Sequence, residues 1–436
     1  VTAWWPYTEG ETTPPAVVVR ADQSSPTDFE GSDFISAENQ PVSYGNPTLR
    51  FTHRTARVTV VLTDYTEGMA SVKLTGLSTE NGNSAVIAPY DKGGDTYTAL
   101  VAPQSVATGT AFITCAFTNG KVFVYKMQKA AEWKAGEEYT YTVSLAAAED
   151  PGYTVSEDGK TYNVTSADGL LAWNEAVQKD MTLNCTLADN IDLTGKDWTP
   201  IGTSFGNSYT GTFDGNGKTI TGLTVTGSDR YTGLFGFIKG TVKNVVLTEI
   251  NITSGTFVGG VAGWSFGGNI ENCSVSGSVS GSDVGGVVGY QQGGSITGCS
   301  SSATVKGTQR AGGVAGATNS GATLTACYAT GDVTVENDGP NNACAGGVVG
   351  SNAYSTVIAC YAAGNVSGTG SGTIHVGGVV GENYATVTAC YWSGLPDNDN
   401  GGATKVDGTT VTWQNAVDAM NAALQNAGSE WRYELT

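Results

Sequence analysis

The stretch Gly259-Gly260-Val261-Ala262-Gly263 returns as Gly285-Gly286-Val287-Val288-Gly289, Gly312-Gly313-Val314-Ala315-Gly316, Gly346-Gly347-Val348-Val349-Gly350 and Gly377-Gly378-Val379-Val380-Gly381, with a degenerate first copy at Gly233-Leu234-Phe235-Gly236. Complete copies follow one another at intervals of 26, 27, 34 and 31 residues. A cysteine stands downstream of each, at Cys273, Cys299, Cys327, Cys360 and Cys390, and an aliphatic residue precedes each cysteine by three positions, at Ile270, Ile296, Leu324, Val357 and Val387. Short strands and glycine turns repeating at this period, without helical periodicity, predict a parallel β-helix, or β-solenoid, in which each repeat is one coil. Equivalent residues of adjacent coils then stack at the strand spacing of about 4.8 Å. The two longer intervals push extra loop outward, at Glu336 to Asn342 and Gly368 to Thr373.

The repeats are flanked by different patterns. Leu170, Trp173 and Val177 fall on one face of a short helix begun by Ser166 or Asp168, and Trp413, Val417, Met420 and Leu424 on one face of a second, closed by Gly428. These read as capping helices, the second covering the open edge of the last coil. Before residue 148 the runs Arg57 to Leu62, Ala111 to Phe117, Val122 to Met127 and Tyr139 to Leu145 alternate with turn clusters, the pattern of a β-sandwich. The expected class is all-β: residues 1–148 a sandwich, 149–410 a solenoid, 411–436 a capping helix and tail. The segment Ala146 to Gly152 reads as a linker.

Composition narrows the function. The 436 residues carry 21 Lys and Arg against 40 Asp and Glu, a net charge of −19, which disfavours nucleic acid and anionic lipid surfaces. The longest charge-free stretch, Gly339 to Gly381, is broken throughout by Gly, Asn, Ser and Thr, so no transmembrane segment is expected. Eight cysteines without a CxxC pair and two histidines, His53 and His375, outside any HExxH pattern leave no cofactor or metal site, and both histidines read as structural. Asp397-Asn398-Asp399-Asn400-Gly401-Gly402 and Asp214-Gly215-Asn216-Gly217 match a calcium loop only in part, and Asx turns explain both.

Two resemblances add to this reading. The ordered landmarks Ala3-Trp4-Trp5-Pro6-Tyr7, Ala21-Asp22-Gln23-Ser24, Phe51 to Val58, Ala102-Pro103-Gln104 and Ala135 to Tyr141 resemble the fimbrillin-like domain of surface pili in Gram-negative anaerobes. In that family the Trp-Trp-Pro-Tyr landmark follows several earlier strands, which are missing here. The glycine cores followed by Ala-Cys-Tyr-Ala-Thr-Gly-Asp-Val, at 326–333, resemble the GLUG repeat of bacterial surface proteins over about residues 230 to 395. Together they imply a cell-surface adhesin or pilus tip or accessory subunit: extracellular, tied to the outer membrane through a missing N-terminal segment, joined to other pilus subunits by strand addition, and displaying a solenoid to a host glycan or protein. The alternatives are a polysaccharide-active β-helix enzyme and a structural stalk that binds nothing.

Aromatic residues are the candidate ligand contacts. Trp264, Tyr290, Tyr354 and Tyr384 are expected in the loops between core and cysteine, which vary in sequence while the coils do not, as binding surfaces on a rigid scaffold do. Tyr328, Tyr361 and Tyr391 follow three of the cysteines and form a column, either a self-packing ladder or an outer strip on which sugars stack. The cysteines read as buried small hydrophobes, but an aliphatic at −3 and a cysteine at 0 have opposite parity in a straight strand. Either the strand bends between them or the cysteines face outward. Between Gly255 and Leu395 the charged residues are Glu271, Asp283, Lys306, Arg310, Asp332, Glu336, Asp338 and Glu382. Asp283 and Arg310 share one repeat position, which predicts a solvent-exposed ion pair between adjacent coils. No residue is read as catalytic.

Overall fold

The computed structural model describes every residue except 8, 66–67, 119–121, 146–150, 157, 228, 398, 400 and 436. The chain divides into two compact units, Val1–Thr154 and Val155–Thr436. Most of the expected linker, residues 146–150, lies outside the described residues, as do Asn398 and Asn400 of the first calcium-like loop.

The first unit is sandwich-like. One sheet runs in the order Glu138–Ser144, Ala56–Thr63, Thr96–Val101, Tyr90–Gly93, the first pair parallel and the others antiparallel. A second runs Val122–Lys126, Ala111–Phe117, Met69–Leu74, antiparallel throughout. Alternation sets the packing: Val58, Val60 and Leu62 are buried together with Leu74, Ile113, Cys115 and Val143 in one core. Tyr141 meets Phe112 and Trp133 edge to face there, and the Trp133 indole donates to the Tyr141 hydroxyl at 2.8 Å. The landmark glutamines have a physical reason. Gln23 is fully buried, and its amide both donates to the Leu100 carbonyl and accepts from the Leu100 N–H, each at 2.8 Å, so a side chain supplies backbone pairing inside the unit. His53 sits in the exposed strand Thr52–His53 with Nδ1 2.8 Å from Asp33, a structural contact.

The second unit is a β-solenoid of about seven turns. Its apolar column runs in register Phe213, Val242, Ile270, Ile296, Leu324, Val357, Val387, one residue per coil in parallel pairing and aliphatic from Val242 onward. The helix Ala167–Val177 is capped by Ser166, whose hydroxyl accepts from the Gly169 N–H. It buries Leu170, Trp173 and Val177, with the Trp173 ring against Tyr209, Phe213 and Phe235 of the first coils.

Each glycine core is a tight arch joining two strands that pack face to face, and all three glycines are sterically required. A Cβ on the first would stand 2.3 Å from the Ala262 carbonyl oxygen at Gly259, 2.0 Å from that of Val288 at Gly285, and 2.0 Å from that of Ala315 at Gly312. The second glycine leaves no room either, since a Cβ on Gly313 would stand 2.1 Å from the Gly347 carbonyl oxygen and 2.4 Å from Ala329 Cβ. The third lies on the opposing backbone, so that a Cβ on Gly316 would stand 2.8 Å from Val284 N. Gly312→Ala is therefore expected to destabilise the solenoid by about 2 kcal/mol, the cost of overpacking against groups that cannot rotate away. Denaturant unfolding of the variant checks this, and an unchanged midpoint would sink the arch account.

The parity conflict at the cysteines resolves as a bend. The residue before each one is left-handed: Asn272 (φ 50°), Gly298 (62°), Ala326 (55°), Ala359 (51°) and Ala389 (49°). The strand turns there and the cysteine points inward, so the repeat cysteines are buried and free. Burial pushes the Cys299 and Cys360 thiols well above the ordinary cysteine range. The bend residue changes along the solenoid. In the early coils it is asparagine, and Asn272 donates to Asn244, which donates to Asp214, each at 2.9 Å. In the later coils it is alanine, where an apolar surface lies over it.

That surface is the C-terminal helix, Trp413–Asn426, begun by a Thr412–Asn415 capping box. It does not cover the end of the last coil as expected. Ala416, Val417, Met420 and Leu424 pack on Ala326, Ala359 and Val406, along the flank of successive coils. The tail continues the cover: Tyr433 donates to the Ala359 carbonyl at 2.9 Å, and the Trp431 ring occupies the space a Cβ on Gly298 would need. An Ala-lined flank is what an apolar helix face selects, because asparagine there would bury an amide without a partner.

The open end is closed by Asp399. In interior coils the arch N–H groups donate to the next coil, as Val348 and Val349 do to the Val379 carbonyl. Among the described residues Val379 and Val380 have no such neighbour, and the Asp399 carboxylate accepts from both, at 3.0 and 3.2 Å, while its second oxygen accepts from Gly401 and Ala403. Asp214 forms the expected Asx turn, accepting from Asn216 N at 2.8 Å.

Candidate functional site

Two residue columns flank the arches. Before the arch stand Tyr231, Phe257, Asp283, Arg310, Cys344 and His375, each paired in register with the next. After it stand Phe237, Trp264, Tyr290, Ala317, Ser351 and Glu382. Because the third glycine lets the two strands approach, side chains of the two columns meet beyond it and form one strip along the coils.

The early half of the strip is aromatic. Trp264 stacks on Tyr290 with ring centres 4.3 Å apart and on Phe237 at 6.0 Å, and Phe257 meets Trp264 edge-on at 4.5 Å. Tyr231 joins through Phe257 and Phe237, and Phe205 through Phe237 and Phe266. Cations overlie it: Arg230 above Tyr231 and Phe257, and Lys239 with Nζ 3.5 Å from the centre of the Phe205 ring. Phe205 is 57% exposed, while Trp264 and Tyr290 are half-buried.

The later half is polar. Arg310 clasps Asp283 with two parallel bonds of 2.7 and 2.8 Å and lies over Tyr290. The register matches the sequence expectation, but the exposure does not, because Asp283 is only 2% exposed. Phe257 of the preceding coil stands beside it in register and Arg310 clasps it, so this is a bidentate pair of a buried carboxylate and a partly buried guanidinium. Further along, the Tyr384 hydroxyl donates to Glu382 at 2.7 Å, and His375 Nε2 is 4.0 Å from the same carboxylate.

This arrangement bears on hydrolytic chemistry. Asp283 and Glu382 lie on opposite columns and three coils apart, on the order of 14 Å along the axis, beyond the roughly 5 to 9.5 Å that two-carboxylate glycoside hydrolysis uses. The Asp283 carboxylate is also neutralised by Arg310. Among the described residues no group of three or more His, Cys, Asp or Glu gathers as a metal site.

The seven aromatics singled out in the sequence occupy three places. The four expected in loops, Trp264, Tyr290, Tyr354 and Tyr384, lie on strands instead, because the chain after each arch continues in parallel pairing with the neighbouring coil, and Trp264 and Tyr290 belong to the strip. Tyr354, at φ 53°, is 78% exposed, and Tyr384 is 66% exposed in register with Ala353. Tyr328, Tyr361 and Tyr391 form one column in register. There the Tyr328 and Tyr361 rings stack at 4.9 Å and 1°. Tyr361 and Tyr391 pack against the C-terminal helix cluster, and Tyr361 also meets Trp413 and Tyr433 edge-on. Burial pushes the Tyr361 phenol up to about 12. Phe205, Lys239, Arg230 and Phe257 also belong to the strip, and nothing in their spacing in the sequence separates them from core residues.

Residues 1–165 match the fimbrillin-like family, and residues 254–280 and 280–306 each match the GLUG motif. Halomucin of Haloquadratum walsbyi is 32% identical over 201 residues, which are 40% of this chain and 2% of that protein. The chain thus spans a small fraction of that relative's length. Among solved structures, a protein from Bacteroides ovatus assigned as an immunoglobulin A1 protease matches with a TM-score of 0.50 and 21% identity, over 63% of this chain and 90% of that one. A fimbrial protein from the same organism matches at a TM-score of 0.23 and 18% identity, over 36% of this chain and 38% of that one. No helix among the described residues is long and apolar enough to cross a membrane.

Proposed function

We propose, from an N-terminal unit matching the fimbrillin-like family and a C-terminal unit bearing GLUG motifs, that this chain is a surface adhesin or a pilus tip or accessory subunit. The first unit connects it to other pilus subunits by strand addition, a mode that draws affinity from main-chain hydrogen bonds. The solenoid displays its side chains to a host glycan or protein. Its place is the cell surface, tied to the outer membrane. The observation that carries this reading is the aromatic strip with its overlying cations on a rigid scaffold: ring faces and guanidinium groups are the side chains that dominate recognition surfaces. Catalysis is not part of the reading, because the acids of the strip are engaged by Arg310 and Tyr384.

A glycan and matrix-protein array probed with the chain tests this. A variant with Trp264, Tyr290, Tyr354 and Tyr384 changed to alanine is expected to lose binding. One with Glu271→Gln, Asp332→Asn and Glu382→Gln is expected to keep it, both being checked by melting curves for retained fold. Glycan turnover by the parent that disappears in the amide variant would establish an enzyme instead, and absence of any binding by the parent would leave a structural stalk.

A further inference from the structure

The tyrosine column ends abruptly. Its register runs Ser274, Ser300, Tyr328, Tyr361, Tyr391, so the ladder loses its rings on passing from Tyr328 to the preceding coil. One face of the Tyr328 ring stacks on Tyr361, and the other looks over Ser300, where no described ring pairs with it. The missing rungs leave a trough of about 420 Å³ lined by Tyr328, Ser300, Ser274, Ser302, Thr330 and Ser276 among others. The hydroxyls of Ser274, Ser300, Ser302 and Thr330 make no hydrogen bond to the described residues, and no ionisable group other than the Tyr328 phenol lines the trough.

We infer that this trough is a binding site for a neutral saccharide, whose pyranose ring occupies the next rung of the ladder. The volume falls within the range of small-molecule sites, roughly 300 to 1,000 Å³. A missing rung leaves about 4.8 Å per coil, the thickness of a ring stacked on an aromatic face. A bare ring face offers the C–H side of a sugar an apolar platform, and the rows of serine and threonine hydroxyls, each both donor and acceptor, match its hydroxyl rim. The absence of lining cations disfavours phosphates and acidic sugars. This site deepens the adhesin reading and rests on it for the class of ligand, but it is separate from the arch strip.

The test uses the whole chain with methyl glycosides of neutral hexoses and N-acetylhexosamines and their disaccharides, by saturation-transfer NMR and calorimetry. Ser300→Tyr adds one more rung to the ladder, and because tyrosine stands at this register in the next three coils, the fold is retained. It fills the trough, and it is expected to weaken sugar binding by at least about tenfold, as is Tyr328→Ala, in keeping with the loss of one stacking platform. The variant with Glu271→Gln, Asp332→Asn and Glu382→Gln, none of which lines the trough, is expected to bind these sugars as the parent does. The trough assignment is overturned if the parent binds none of the sugars, or if Ser300→Tyr binds them undiminished. Sugar binding lost only in the four-aromatic variant would move the site to the arch strip, refuting the trough while leaving the adhesin reading intact. Binding at the trough with no recognition of any surface on the array would separate the two in the other direction.

Discussion

Asp399→Ala is expected to unravel the last coil, with a loss of about 3 kcal/mol or more, since hydrogen bonds to a charged acceptor contribute roughly 1.5 to 3 kcal/mol each and this carboxylate accepts from Val379, Val380, Gly401 and Ala403. Everywhere else along the solenoid the arch N–H groups are answered by the carbonyls of the following coil. At the end of the stack Asp399 supplies the oxygens that a further coil would bring, and without them buried donors are left unpaired. Hydrogen exchange is the measurement: protection at the Val379 and Val380 amides should fall by about a hundredfold or more, which is what 3 kcal/mol amounts to, while amides in the coils around Gly285 change little. Asp399→Asn, which keeps one acceptor oxygen, should lose less. Unchanged protection in the alanine variant would show that something else closes the end.

Removal of one partner from the Asp283–Arg310 pair should cost nearly as much. An exposed ion pair is worth less than about 1 kcal/mol. Here the carboxylate is 2% exposed and held by two parallel bonds, so Asp283→Ala strands a partly buried guanidinium, a loss of about 3 kcal/mol at the lower end of what broken buried pairs show. Asp283→Leu combined with Arg310→Leu should recover most of that, because leucines at these positions extend the apolar packing begun by Phe257 and leave no charge behind. Thermal and denaturant unfolding of the two variants decides the matter. A single-variant loss below about 1 kcal/mol would mean that water reaches the pair freely.

Both effects depend on facts that spacing alone does not carry. The register of Asp283 and Arg310 was legible from the repeat, but their burial was not. Whether a side chain beside an arch faces water depends on how closely the two strands approach, and that is set by Gly289 and Gly316 packing on opposing backbone. Asp399 was visible only as part of an incomplete calcium loop. Its role follows from where the chain returns after the last coil, a tertiary event with no local signature.

The sequence by itself determined the all-β class, the succession of a sandwich and a coiled stack, and the register of every column from Ile270 to Val387, because a repeated glycine core and a strand spacing leave one way to stack. It also determined both helices, through their apolar faces and caps. Only the tertiary structure decided which way the cysteines point, through left-handed bends at residues such as Ala326 and Ala359, where a single backbone angle overrides strand parity. Only it decided that the C-terminal helix lies along the flank, and hence that Tyr361 and Tyr391 are covered while one face of Tyr328 stays open. An amphipathic helix specifies that one face will be buried. Which surface buries it is chosen by long-range packing, and here the alanines at the bends, where earlier coils carry asparagine, are the trace of that choice.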